Sequence, residues 1–209
     1  MNKQIKLLKQ SFNLWLGEGD LKKTIDQRLL EFKRFKDLDD HEWFSELCFC
    51  LLTANSKAIS AIRIQNEIGG VGFLSLDQNQ ISEFIRKGGH RFHNTKATYI
   101  IHARAYAQIK NIITPLPSSA ARNFLVTNIK GLGFKEASHF LRNVGRDDVA
   151  IIDRHILRFM HQNNLITEIP KTIMPSFYIH CEDILKQFEM PLDLLDLLLW
   201  YKMTGQILK

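Results

Sequence analysis

The chain has 209 residues, a formal net charge of +6 and 45% hydrophobic residues, so it holds enough apolar material for one large or two small domains without staples. Three cysteines without a four-cysteine cluster, and eight histidines without zinc-type spacing, exclude a disulfide framework, an iron–sulfur centre and a structural zinc site. The basic balance favours an anionic partner such as nucleic acid.

In chain order, Ile5, Leu8, Phe12 and Trp15 begin an amphipathic helix that ends near Gly17 and Gly19. Thr24 to Phe35 is charged on one face and apolar on the other. Asp40 caps a helix through Trp43, Phe44, Leu47, Leu51 and Leu52, and Cys48 and Cys50 within it read as buried free thiols. A helix from Ile59 to Ile68 stops at Gly69-Gly70, and a short one from Ser82 to Arg86 stops at Gly88-Gly89. The next runs from Thr95 to Ile109. Leu116-Pro117-Ser118-Ser119, a breaker followed by cap residues, announces a helix with Ala121, Phe124, Leu125 and Ile129 at helical spacing. Ala137, Phe140, Leu141 and Val144 line one face of its successor, which Gly145 terminates. Further helices run from Arg154 to about Asn163, from Pro175 to Phe188 and from Leu192 to about Met203. Few segments alternate with period two, so the expected class is all-α. The longest apolar run, Leu192 to Trp200, carries Asp193 and Asp196 and is too short to span a bilayer. The first residues are Lys-rich without an apolar core behind them, unlike a secretory signal. An intracellular, cytoplasmic protein that engages no membrane is expected.

Ile129-Lys130-Gly131-Leu132-Gly133-Phe134-Lys135 carries the most chemistry. Two glycines around one apolar residue permit a turn that a Cβ would obstruct. A glycine turn opening a helix aims free N–H groups outward and makes a phosphate site, with Lys130, Gly131 and Gly133 as candidate DNA-backbone contacts. Lys135 lies in the first turn of the second helix, where the helix dipole helps release its proton, as a lysine nucleophile requires. By itself a phosphate-contacting or solvated lysine is the plainer reading; the hairpin, with Asp153 in register, favours the nucleophile. Asp153 follows the apolar run Val149-Ala150-Ile151-Ile152 and reads as an N-cap, a role compatible with stabilising positive charge at a sugar carbon.

Two further places bear on DNA. Arg91 and Phe92, in a loop after Gly88-Gly89, suit a duplex wedge, although Phe92 reads equally as a core anchor. Asp196 and Trp200, four apart on one helix face, offer a carboxylate acceptor and a stacking surface for a flipped base; a buried Trp beside a solvated Asp is the plainer reading.

Gly131-Leu132-Gly133-Phe134-Lys135-Glu136-Ala137 with the later Asp153 resembles the helix-hairpin-helix DNA glycosylases that also cleave the abasic site. Residues 46–55, Gly89-His90-Arg91-Phe92, residues 135–145, Ala150-Ile151-Ile152-Asp153-Arg154-His155 and residues 200–209 resemble one branch, the archaeal-type 8-oxoguanine DNA glycosylase/AP lyases. One departure from the wider superfamily is Ile129-Lys130, where a Leu-Pro pair is common.

The resemblance implies two helical lobes with a cleft between them. Residues 41–145 would form a helical barrel ending in the hairpin motif at about 118–145, and residues 1–40 would join 146–209 as the terminal lobe. It makes Lys135 and Asp153 the catalytic pair and places the final lysine, Lys209, in the base-recognition pocket. It implies a monomer acting on double-stranded DNA that contains 8-oxoguanine. No metal or organic cofactor is required, though a monovalent cation can sit in the hairpin. Two alternatives stay open: a glycosylase for oxidised pyrimidines, and a non-catalytic helix-hairpin-helix binding module.

Overall fold

The structure is a computed structural model that describes residues 3–17, 19–54 and 56–207. Every regular element among them is helical: α1 (Lys3–Trp15), α2 (Gly19–Phe35), α3 (Asp40–Thr53), α4 (Ala58–Ser75), α5 (Gln78–Lys87), α6 (His93–Ala103), a 3₁₀ turn (Arg104–Tyr106), α7 (Ile109–Ile113), α8 (Ser118–Asn128), α9 (Phe134–Asn143), α10 (Arg154–Gln162), α11 (Pro175–Lys186) and α12 (Leu192–Thr204).

Their apolar faces form two cores. One is contiguous in sequence and gathers residues from Trp43 to Val149 around α3, whose positions 43 to 53 are all buried. The other joins the two ends of the chain: Ile5, Leu8, Phe12, Ile25 and Phe32 pack against Ile152, Leu157, Phe159, Tyr178, Phe188 and Leu198. Phe12 stacks on Phe188 with ring centroids 5.8 Å apart. A helix buried all round, as α3 is from Trp43 to Thr53 and α9 from Ala137 to Asn143, must lie inside a bundle, whereas the one-sided stripes of α5 and α10 suit the edges of a core.

Several elements differ from the sequence expectation, and α2 begins at Gly19 rather than Thr24. The helix expected to stop at Gly69-Gly70 runs on to Ser75 through a kink at Gly69, where φ is +67°. A Cβ on Gly70 would lie 2.7 Å from the His41 carbonyl oxygen, so the glycine pair lets α4 press against α3 rather than ending it. The helix expected through Ile109 breaks after Ala103, and Arg104 turns away to donate to the carbonyls of Phe73, at 2.9 Å, and Leu76. The cap of α3 is Asp39, not Asp40; its carboxylate accepts the Glu42 N–H at 3.0 Å. Helix α5 starts four residues before Ser82, at Gln78, behind an Asp77–Gln80 capping box.

A buried polar cluster links the cores. Arg122 of α8 donates to both oxygens of Glu182 on α11 (2.6 and 3.1 Å), and both side chains are almost wholly buried. Glu182 accepts the Ala150 N–H at 2.9 Å. The Tyr178 hydroxyl donates to the Ala150 carbonyl (2.7 Å) and accepts the Ile152 N–H (3.0 Å). The connecting segment 149–152 has no strand partner, and these side chains satisfy its backbone instead. Arg122 also donates to Ser138, one turn beyond Lys135. The cluster therefore braces α9 on one side and the segment leading to Asp153 on the other.

Candidate active site

The hairpin between α8 and α9 is plugged into the first core by Ile129 and Leu132, both buried, and closed by the Leu132 N–H to the Ile129 carbonyl at 3.1 Å. Gly131 has φ +98°, and a Cβ there would lie 2.3 Å from the Tyr99 ring. Both facts demand glycine. Lys130 is exposed, with Nζ 5.8 Å from the Tyr99 ring centroid, and Gly133 is exposed as well. The hairpin thus presents backbone and one cation to solvent. A turn carbonyl keeps a lone pair after accepting one bond, so the Ile129 carbonyl is a hard oxygen donor that fits a monovalent cation.

Lys135 is the second residue of α9. Its ammonium lies 3.8 Å from Glu136 and its side chain is 31% exposed, while Glu136 reaches back to the Gly133 N–H at 3.3 Å. Asp153 caps α10: Oδ1 accepts the N–H groups of His155 (2.8 Å) and Ile156 (2.9 Å). Its Oδ2 makes no hydrogen bond among the described residues.

Both residues line one cavity of about 220 Å³ where the two cores meet. Thr53 and Ser56 form its wall at the end of α3; Lys135, His139 and Arg142 come from α9; Asp153, His155 and Ile156 from the start of α10; Asp196, Leu197 and Trp200 from α12. Trp200 meets the His155 ring edge-on at 5.2 Å, and its indole N–H is buried without a partner among the described residues. A donor left so inside a cavity is available to a ligand.

Asp196 is not a solvated carboxylate. It accepts from Arg142 at 2.9 Å, with side-chain exposures of 12% and 3%, and the Arg142 guanidinium lies 4.4 Å from the Phe32 ring centroid. Burial pushes its carboxyl up to about 6 despite the opposing charge of Arg142. A carboxyl raised in the folded state favours the fold below its unfolded value of 3.8, a contribution lost as pH rises through about 6. Acidification therefore protonates Asp196 without destabilising the fold through this group. If the ionised carboxylate is what meets a ligand in the cavity, activity falls below about pH 6 and Asp196→Asn removes that limb of the profile. A limb unchanged in the variant would assign it elsewhere.

The other sequence candidates lie apart. Arg91 and Phe92 are outside the cavity, exposed on the α5–α6 loop, with the Arg91 guanidinium 4.6 Å over the Phe92 ring. Phe92 is 41% exposed and so does not anchor the core. Lys209 lies outside the described residues. Gly205, at φ +71°, ends α12. Residues that reasoning from sequence passed over are His139, Arg142 and His155. The first two stand four and seven positions after Lys135 on the same face of α9, a spacing that could have found them. Among the described residues no cluster of three or more His, Cys, Asp or Glu suits a metal ion, and no helix is long and apolar enough to cross a membrane.

The sequence model of the family described as 8-oxoguanine DNA glycosylase, of helix-hairpin-helix type, matches residues 25–194. The 8-oxoguanine DNA glycosylase/AP lyase of Methanocaldococcus jannaschii is 51% identical over 199 residues, covering 93% of this chain and 96% of that protein. The protein of the same name from Thermotoga petrophila is 42% identical over 195 residues, covering 90% and 93%. The crystal structure of the M. jannaschii enzyme superposes with a TM-score of 0.92 at 49% identity, over 98% of this chain and 97% of that one. Its complex with a 15mer DNA containing 8-oxoguanine also gives 0.92, over 97% of this chain and all of the other. With two helical cores meeting at a lysine–aspartate cavity beside a glycine hairpin, this chain belongs to the helix-hairpin-helix 8-oxoguanine DNA glycosylase family.

Proposed function

We propose that this protein removes 8-oxoguanine from double-stranded DNA and then cleaves the abasic site. The observation that carries the reading is the convergence of Lys135 and Asp153 on one cavity directly behind a phosphate-binding hairpin. A binding module needs the hairpin but has no use for the cavity. The M. jannaschii relative bound to 8-oxoguanine DNA supports the choice of base.

The reaction follows from the residues. DNA lies across the cleft between the lobes made by residues 41–145 and by 1–40 with 146–209. Lys130 and the N–H groups around Gly131 and Gly133 hold its phosphates. There the hairpin carbonyls would hold a monovalent cation, adding positive charge toward a phosphate. The damaged nucleotide leaves the stack, and Arg91 and Phe92 fill the space it vacates. Trp200 stacks on the base, Asp196 accepts its N–H groups, and Lys209 joins them in recognising it. The neutral amine of Lys135 forms a bond to C1′ as the glycosidic bond breaks, and the base departs with the bonding pair and takes up a proton. Ionised Asp153 stabilises the charge developing at C1′. The C1′–O4′ bond then breaks, O4′ taking a proton from water, to leave a protonated imine; water removes the C2′ proton, and that electron pair expels the 3′ phosphate by β-elimination. No metal or organic cofactor enters this route.

Duplexes containing 8-oxoguanine, thymine glycol or no lesion, incubated with the protein and resolved as single strands, test the reading. A nick at 8-oxoguanine alone is expected; preferential cleavage at thymine glycol would overturn the base assignment. A second expectation concerns Lys209. Deleting Lys209 should depress 8-oxoguanine excision more than cleavage of a preformed abasic site, which offers no base to recognise. If both activities are unchanged by the deletion, Lys209 has no part in base recognition.

A further inference from the structure

The α5–α6 loop that carries Arg91 and Phe92 is fastened to the interior by one histidine. Helix α5 ends in a Schellman turn: Gly89 takes φ +83°, its N–H reaches the Arg86 carbonyl at 2.9 Å, and the His90 N–H reaches the Ile85 carbonyl at 3.1 Å. That turn sends the His90 side chain inward, where it is buried. Its Nδ1 accepts the Phe92 N–H at 3.1 Å, and its Nε2 lies 3.1 Å from the Leu52 carbonyl oxygen. A ring nitrogen that accepts an N–H carries no proton, so the proton sits on Nε2 and is donated to Leu52. Burial and the charge of Lys96 hold this imidazole neutral, in keeping with that tautomer.

The carbonyl it caps matters for position. Leu52 stands in the last turn of α3, where carbonyls have no helical partner. Three successive carbonyls there are closed by side chains: Cys50 by the Thr53 hydroxyl (2.8 Å), Leu51 by the Lys96 ammonium (2.6 Å) and Leu52 by His90. Thr53, the next residue, is a wall of the cavity. A single imidazole thus spans from the backbone of Phe92 to the backbone beside the base pocket.

We propose that His90 is a positioning residue that sets the Arg91–Phe92 wedge relative to the pocket wall, so that filling the duplex and receiving the flipped base occur in register. The inference rests on the wedge role assigned above to Phe92, and the test separates the two.

His90→Gln keeps a donor near the Nε2 position for Leu52 but offers the Phe92 N–H no acceptor at the Nδ1 position. His90→Asn does the reverse. Single-turnover excision is measured on 8-oxoguanine paired with cytosine and on 8-oxoguanine as an unpaired bulge, whose exit leaves no gap opposite a partner. Phe92→Ala is run in parallel. For His90→Gln we expect about a tenfold loss on the paired substrate, the effect of orphaning one partly buried donor, with the bulge rate within about twofold of wild type. His90→Asn, which gives up the Leu52 end of the span instead, should show the same paired-only loss, and so should Phe92→Ala. Equal loss on both substrates would reduce His90 to fold maintenance, and a wild-type paired rate in His90→Asn would show that the Leu52 end plays no part; either result overturns the proposal. A paired-only loss in Phe92→Ala with unchanged His90→Gln would leave the wedge standing and refute the histidine's part. No loss in Phe92→Ala would remove the wedge and the proposal with it.

Discussion

Lys135→Gln is expected to abolish strand cleavage and borohydride trapping while leaving the fold and DNA binding nearly intact. The imine needs a nitrogen with an available lone pair, and a glutamine amide has none to give. Borohydride reduces the imine to a stable amine, so wild-type protein should become covalently joined to lesion DNA and the variant should not. The structural cost is small. Lys135 makes one ion pair, to Glu136 at 3.8 Å, with its side chain 31% exposed. Pairs of that kind contribute about 0–1 kcal/mol. Against this, a cation at the second position of α9 opposes the helix dipole by roughly 0.3–1 kcal/mol. The two effects offset each other, so thermal unfolding should shift by no more than a few degrees in either direction. Affinity for duplex should fall little, since the hairpin amides and Lys130 remain. A Gln variant that still traps to lesion DNA would show that another amine is the nucleophile. Abolished binding together with abolished cleavage would instead mark Lys135 as a phosphate contact.

The hairpin and its chemistry were legible because they are local. Gly131 must be glycine on account of its own φ and one ring packed on it. Lys135 and Glu136 belong to the first turn of the same helix, and Asp153 caps the helix that it begins. Such features depend on a few neighbouring residues, which a linear pattern displays. What escaped depends on partners far along the chain. Gly69-Gly70 looks like a helix stop until α3 is seen pressed against it. Arg104 breaks its helix by reaching carbonyls 31 and 28 residues away. Asp196 reads as a solvated acid, and only the fold brings Arg142, 54 residues distant, to its side and buries both. Burial then raises a carboxyl whose sequence neighbours give no sign of it. His90 is similar: nothing local says that its ring will meet the carbonyl of Leu52, 38 residues earlier.

Asp153→Asn should slow base removal by roughly a hundredfold to a thousandfold or more, the scale seen when one preorganised stabiliser of a developing charge is lost. This substitution is informative because of how Asp153 is held. Oδ1 alone accepts the His155 and Ile156 N–H groups, and an asparagine carbonyl oxygen can accept both in the same place. Asn ranks with Asp as an N-cap, so α10 should keep its first turn and unfolding should change by a few tenths of a kcal/mol. What disappears is the negative charge on Oδ2, which makes no bond among the described residues and borders the cavity that Lys135 also lines. The brace from Glu182 and Tyr178 to residues 150 and 152 is untouched, so the side chain stays where it was. Single-turnover excision of 8-oxoguanine then reports charge alone. If Asp153 is only a cap, the Asn enzyme cuts at the wild-type rate, and the carboxylate loses its place in the mechanism. If the rate falls as expected while unfolding is unchanged, the same side chain both starts a helix and stabilises charge at C1′. A cap holds its oxygen fixed and leaves the other free, which is the preorganisation that such stabilisation requires.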